Sequence, residues 1–169
     1  INFHKVTHLL SVPSLYNILL SRYDELKSLK YSIVAGESCS QKLLREHKKC
    51  LPQTILANEY GPTEATVWST YSELDKMVTI GKPIINYSIY ILDNHLNPCP
   101  IGAPGELYIG GVGLARGYLN QKKLTKEKFI LNPFAKELGL SKADRIYKTG
   151  DLVRWLPDGN IEYLGRIDF

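Results

Sequence analysis

The stretch from Val6 to Tyr60 alternates three short apolar runs with two amphipathic segments, and this alternation restricts the fold more than any other feature. "VTHLLSV" is rich in β-formers and stops at Pro13. "PSLYNILLSRY" then sets Leu15, Ile18, Leu19 and Tyr23 in a helical stripe, with proline where a helix start tolerates it. "LKYSIVAGE" repeats the strand and ends at Gly36, after which Ser38 or Ser40 can cap a helix over "QKLLREHKKCL". The apolar side of that helix is Leu43, Leu44, His47 and Leu51, and Pro52 ends it; "TILANEY" is a third strand. Strands spaced by helices of this length pair in parallel through right-handed crossovers. The expected fold class is α/β, with residues 1–76 forming part of an open α/β sheet layer. After Met77 the texture changes: "NYSIYILDNHLNPCPIGAPGELYIGG" and "RIYKTGDLVRWLPDGNIEYLGR" are apolar runs broken by turn residues, with Asp158-Gly159 as a hairpin signal. A short helix is expected in "LTKEKFIL". Residues 77–169 therefore read as a small antiparallel β subdomain, a distorted barrel.

Composition excludes several classes of function. A chain of 169 residues with 44% hydrophobic and 22% charged side chains has what it needs to pack a core. The net charge of +4 is thinly spread, with no dense basic run interleaved with aromatics, so neither a nucleic-acid nor a membrane partner is expected. No apolar run approaches the roughly 18 residues of a membrane span, and no secretory pattern opens the chain. Cys39, Cys50 and Cys99 are an odd number without a C-x-x-C pair, which favours a reducing, cytoplasmic setting over a disulfide framework or zinc ribbon. The histidines His4, His8, His47 and His95 are too dispersed for a metal site. The chain starts without methionine and stops just after "GRID", so it is expected to be a piece of a longer polypeptide, whose function needs groups carried elsewhere.

In an open α/β sheet, ligands sit beyond the carboxyl ends of the strands. Two strands end in unusual loops, "AGES" and "NEYGPTE". Gly36 and Gly61 let backbone approach a ligand, Tyr60 offers an aromatic face, Asn58 an amide for a base edge, and Thr63 a donor to a phosphate oxygen. Glu64 offers the hard oxygen that magnesium takes when it also holds substrate phosphates. Read alone, "YGPTE" is equally a turn followed by a helix N-cap at Thr63, and residue types leave both readings open. "GELYIGGVGLARGYL" spaces Gly111, Gly113 and Gly117 one residue too widely for a dinucleotide fingerprint, so it reads as a glycine-rich β turn needing positive φ. In "YKTGD", Asp151 follows a tight Thr149-Gly150 turn between two strands, placed to accept both hydroxyls of a ribose or simply to serve the turn.

Taken in order, "NEYGPTE", "GELYIGGVGLARGYL", "YKTGDLVRW" and "NIEYLGRID" closely resemble the adenylate-forming enzymes, specifically the amino-acid adenylation domains of nonribosomal peptide synthetases. The resemblance covers essentially the whole chain. It implies binding of ATP, magnesium and an amino acid, formation of aminoacyl-AMP with release of pyrophosphate, and loading onto a phosphopantetheine thiol of a carrier domain. By the resemblance Asn58 contacts the adenine amino group, Tyr60 stacks on the ring, Thr63 binds the α-phosphate, Glu64 holds magnesium and Asp151 takes the ribose hydroxyls. Tyr163 packs near the ribose, Arg166 lies near ribose and phosphate, and Asp168 matches the hinge of the C-terminal subdomain.

The same resemblance puts the phosphate loop and the aspartate for the substrate amino group in a missing first half of the large domain. It puts the catalytic lysine in a C-terminal subdomain, which makes the chain inactive by itself, and it implies peptidyl carrier and condensation domains as partners. The amino-acid pocket would include Ser11, Ile33, Ala35, Glu59, Val67 and Trp68. A buried carboxylate at Glu59 needs a partner, so the expected substrate has a cationic or hydrogen-bonding tip, such as arginine, lysine or tyrosine. The competing expectations are an acyl- or aryl-CoA ligase of the same superfamily and a non-catalytic binding fragment.

Overall fold

The computed structural model describes residues 1–141 and 144–167. It divides into two compact units, Ile1–Tyr60 with Thr70–Gly81, and Gly61–Ser69 with Lys82–Phe169. The sequence reading places one boundary after residue 76; in the structure the units interleave, because the loop Gly61–Ser69 belongs to the second. The expected hinge residue Asp168 lies outside the described residues.

In the first unit, β1 (His8–Ser11), β2 (Tyr31–Ala35) and β3 (Ile55–Tyr60) pair in parallel in that order. β4 (Thr70–Glu73) joins β3 antiparallel. The two crossovers carry α1 (Pro13–Leu20) and α2 (Gln41–Cys50), as the alternation requires. Pro13 stands at the start of α1, and Ser40, one of the two proposed caps, accepts the Leu43 amide at 3.1 Å. Val34 and Leu56 of the strands are buried with Tyr16, Leu20, Leu43 and Leu44 of the helices. Successive strand residues face opposite ways. The row Ser11, Val34, Asn58, Ser72 therefore shares the helix-packed face of Val34, whereas Ile33, Ala35, Ala57 and Glu59 take the other.

In the second unit, β5 (Lys82–Pro83) is followed by β6 (Tyr87–Leu92), β7 (Gly105–Gly111), α3 (Lys122–Lys128), β8 (Phe129–Leu131), β9 (Arg145–Trp155) and β10 (Ile161–Arg166). The antiparallel order is β10-β9-β7-β6, with β8 also on β9. This is the expected α/β class with an antiparallel β part. The expected hairpin forms, with the Asp158 carboxylate accepting the Asn160 amide and Gly159 at φ +81°. Two details differ from expectation. The helix stops at Lys128 because Phe129 and Ile130 pair with Tyr147 and Ile146 of β9, where an aromatic and a β-branched side chain fit. Thr149-Gly150 is not a turn between strands: β9 runs through it as one strand, and the register against β7 shifts between Glu106 and Tyr108. Gly150 at φ +77° absorbs that irregularity.

One buried polar chain closes the first unit. His47 is 2% exposed; its Nε2 lies 2.8 Å from the Thr54 carbonyl and its Nδ1 2.7 Å from the Tyr16 hydroxyl. A carbonyl only accepts, so Nε2 carries the proton and Nδ1 accepts from Tyr16. Burial holds the imidazole below its ordinary 6.5 in spite of the bond to Thr54, and Lys48 pushes the same way. The lowered value means that the unfolded chain binds the proton first, so this contribution is complete above pH 6.5 and is lost as pH falls below it. Thermal melts should show stability dropping below that pH, and His47→Gln should lack this part of the slope. Tyr16→Phe, which strands Nδ1, should cost about 1–3 kcal/mol in urea unfolding.

Candidate functional site

At the end of β3, Asn58 is 5% exposed and its Nδ2 donates to the Thr79 carbonyl at 2.8 Å, so its amide orientation is fixed. Ser72 and Thr79 hydroxyls bond to each other at 2.8 Å in the same row. Glu59 pairs in register with Ala35 on one side and Tyr71 on the other. Its Oε2 is buried without a hydrogen-bond partner, and burial pushes its carboxyl above the ordinary range. Ser11 also keeps its hydroxyl oxygen buried and unpartnered, but on the helix-packed face, away from the face of Ile33, Ala35 and Glu59. Gly36 sits at φ +81°, and just after it the Glu37 carboxylate accepts the Ser14 amide at 3.2 Å at the start of α1. Tyr60, the last residue of β3, is half-buried.

In the second unit the loop Gly61–Ser69 holds the other half of "NEYGPTE". Thr63–Ala65 form a single 3-10 turn whose cap position is Pro62, without a side-chain cap bond. The alternative of an α-helix capped by Thr63 is thus not what forms; Thr63 is exposed in the first turn. Thr66 at φ +58° and Val67 at φ +73° follow, two left-handed residues in a row, which is costly for a β-branched side chain. The predicted pocket residues Val67 and Trp68 are 55% and 40% exposed. The loop is pinned by the Ala115 amide on the Glu64 carbonyl at 2.8 Å, the Tyr87 hydroxyl on the Ala65 carbonyl at 2.8 Å, and the Thr66 hydroxyl on the Gly113 carbonyl at 2.5 Å.

The Glu64 side chain accepts from the Tyr118 hydroxyl at 2.5 Å, and Tyr147 Oη lies 3.4 Å from Tyr118 Oη. Burial by itself raises the Glu64 carboxyl, but the Tyr118 and Tyr147 hydroxyls and the Lys128 charge outweigh it and hold it below the ordinary range. Glu64 is therefore ionised at neutral pH. Among the described residues no cluster of three or more His, Cys, Asp or Glu exists. One ionised carboxylate suits magnesium, which fills most of its sphere with water and substrate phosphate, better than a metal caged by protein. Neither tyrosine figures among the predicted site residues; the signal was a tyrosine in each of "ARGYL" and "YKTGD".

Three predicted residues do come together. Asp151 is 7% exposed; Arg166 Nη1 lies 3.3 Å and the Tyr163 hydroxyl 3.4 Å from its Oδ1. A bulge makes this possible: Tyr163 pairs with Val153 and Gly165 with Leu152, so Leu164 is the extra residue and Arg166 falls opposite Asp151. Gly165 takes φ +137° there. On β9, the Thr149 hydroxyl donates to the Leu107 carbonyl at 2.7 Å and accepts the Asp151 amide at 3.0 Å, while the Gly150 amide donates to Glu106 at 3.0 Å. Glu106 and Thr149 thus set the backbone that presents Asp151, a role not evident from residue spacing.

Known proteins decide the family. The description AMP-binding enzyme matches residues 1–119, which is most of the chain. The chain belongs to the AMP-binding enzyme family. It is 52% identical over 169 residues to a segment of bacitracin synthase 3 from Bacillus licheniformis, covering 98% of this chain and 3% of that protein. It is 46% identical to a segment of polyketide synthase PksN from Bacillus subtilis, covering 99% and 3%. Among solved structures, the nonribosomal peptide synthetase FmoA3 in its α-methyl-L-serine-AMP bound form superposes with a TM-score of 0.87 at 34% identity, over 99% of this chain and 20% of that one. The Klebsiella oxytoca NpsA N-terminal subdomain with 3-hydroxybenzoyl-AMSN gives 0.87 at 26%, over 98% and 41%. The chain thus spans a small part of the length of the AMP-binding relatives it matches.

Gly61 offers a direct check on the loop Gly61–Ser69. A Cβ there would lie 2.4 Å from the Val67 carbonyl oxygen and 2.8 Å from the Ser69 nitrogen, both backbone atoms that cannot swing aside. Gly61→Ala should destabilise the protein by about 1–3 kcal/mol, read as a lowered urea midpoint with an unchanged m-value.

Proposed function

We propose that this chain is the part of an amino-acid adenylation domain that recognises the nucleoside, aligns the α-phosphate and lines part of the amino-acid pocket. The reaction joins an amino-acid carboxylate to AMP with loss of pyrophosphate, for later transfer to a phosphopantetheine thiol on a carrier domain. The observation that carries the reading is the convergence of Asp151, Tyr163 and Arg166. Three residues from two motifs meet around one largely buried carboxylate of the kind that takes two adjacent hydroxyls.

In this reading Asp151 accepts the ribose hydroxyls, Tyr163 packs beside the sugar, and Arg166 steadies Asp151 and supplies positive charge towards the phosphate. Asn58 offers its amide oxygen to the adenine amino group, since its nitrogen is already given to Thr79. Tyr60 supplies the stacking face, Gly36 and Gly61 keep backbone low beside the ligand, and Thr63 donates to the α-phosphate. Glu64 would hold magnesium, which when bound draws charge from the phosphate oxygens. The attacking group is the substrate's own carboxylate, so these residues work by alignment and charge neutralisation.

Glu59 carries the substrate reading. Its unpartnered buried oxygen and raised carboxyl favour an amino acid whose side chain ends in a cation or a hydrogen-bond donor. Ile33, Ala35, Val67 and Trp68 would line the remainder.

Amino-acid-dependent ATP–pyrophosphate exchange by the full-length protein tests this. Asp151→Asn and Glu64→Gln each remove a charge-assisted contact of about 1.5–3 kcal/mol, so each should slow exchange roughly ten- to hundred-fold while the fold persists. Absence of exchange with every proteinogenic amino acid and close analogue would count against the adenylation reading. Arginine, lysine or tyrosine should be preferred, with the preference weakened by Glu59→Gln; a leucine or valine preference untouched by that change would remove the substrate assignment.

A further inference from the structure

We infer that Tyr118, seconded by Tyr147, is a positioning residue that fixes the Glu64 carboxylate for magnesium-nucleotide binding. The inference rests on the reading of Glu64 as the metal carboxylate and goes beyond it by naming what aims that group. Tyr118 reaches Glu64 across 54 residues of sequence with a 2.5 Å hydrogen bond, and the Tyr147 hydroxyl stands 3.4 Å from the Tyr118 hydroxyl. The short segment that carries Tyr118 also grips the Glu64 main chain, through the Ala115 amide at 2.8 Å. Glu64 is therefore held at both its backbone and its side chain by one piece of chain. A carboxylate retains further lone pairs after accepting one hydroxyl, so this grip orients the group without exhausting it.

Tyr118 is itself immobilised. Its amide donates to Thr125 Oγ1 at 2.9 Å, and its ring meets Phe129 edge-on at 5.8 Å. Phe129 in turn packs on the Tyr147 ring at 5.0 Å and lies under the Arg145 guanidinium at 5.4 Å. Arg145 also donates to the Ala115 and Arg116 carbonyls, at 3.2 and 3.1 Å. Gly117 sits at φ +140°, and a Cβ there would be 2.3 Å from Thr125 Cγ2, so glycine is what lets the turn close on Thr125. These contacts fix the hydroxyl in space, and a partner that orients a metal ligand typically changes metal affinity or activity by about 10–100-fold when removed.

The test uses the full-length protein and the non-hydrolysable analogue AMPPNP without amino acid, with calorimetric binding followed against magnesium concentration. Tyr118→Phe keeps the ring and its packing and should raise the magnesium needed for half-saturation about ten-fold. Tyr147→Phe should raise it less, and the Tyr118→Phe/Glu64→Gln double variant should be no worse than Glu64→Gln. A Tyr118→Phe protein that melts lower but binds with unchanged magnesium dependence overturns the inference, as does a double variant whose two effects simply add. If Tyr118→Phe has no effect while Glu64→Gln does, the positioning role falls and the metal reading stands. If Glu64→Gln leaves magnesium dependence unchanged, the metal reading falls first and takes the inference with it.

Discussion

The second unit depends on how the loop Gly61–Ser69 is pinned. Consecutive left-handed residues at Thr66 and Val67 cost on the order of 1–3 kcal/mol each and persist only where surrounding bonds over-determine them. Those bonds are present: amide and hydroxyl donors from Ala115, Tyr87 and Ile84 meet the loop's carbonyls, and the Thr66 hydroxyl meets Gly113. Such close backbone contact explains the glycines of "GELYIGGVGLARGYL" better than turn formation alone. A Cβ on Gly113 would fall 1.7 Å from the Tyr87 hydroxyl that holds Ala65. The motif is a dock for the loop, and its closing tyrosine reaches the loop's carboxylate.

A second constraint is the pair of irregularities in β9 and β10. A regular antiparallel ladder advances one residue for one, and its hydrogen bonds leave little to spare for a ligand. The shift at Thr149-Gly150 against β7 and the extra residue Leu164 in β10 break that ladder on either side of Asp151. Side chains repair the gap: Glu106 takes the Gly150 amide, Thr149 takes the Asp151 amide, and Arg166 donates to the Thr149 carbonyl at 2.9 Å. The carboxylate is thus fixed by neighbours that have been taken out of the regular sheet.

This division explains what could be read from the residues. The three parallel strands and two helices were legible because period and punctuation agreed: Pro13 opened α1, Ser40 capped α2 and Gly36 ended β2. The DG hairpin was legible for the same local reason. Thr149-Gly150 reads as a turn in isolation because threonine-glycine has the same signature in a bulge, and only pairing to β7 tells the two apart. Phe129–Leu131 reads as a continuation of the helix in isolation because β8 exists only through its partner β9. Asp151, Tyr163 and Arg166, which the structure brings together, are legible because each lies in a recognisable motif. Tyr118 and Glu106 give no such signal, because their hydrogen-bond partners lie 54 and 44 residues away, at Glu64 and Gly150, which no local pattern displays.

Glu59 and Glu64 show why residue type alone could not assign roles within "NEYGPTE". Both are glutamates on one short stretch, and their surroundings drive them in opposite directions. Glu59 ends in a place with no donor for one oxygen, and burial raises its carboxyl. Glu64 is also desolvated, but two phenol hydroxyls and a lysine charge reverse the outcome. A carboxylate kept ionised and oriented suits a hard cation, whereas one short of a donor gains most when a substrate brings it. The difference is set by the donors that other segments contribute: Tyr118 and Tyr147 for Glu64, and none for Glu59 Oε2. The opposed shifts fit the two roles proposed for these acids, metal holding for Glu64 and substrate reading for Glu59, and they follow from packing rather than from the glutamate side chain itself.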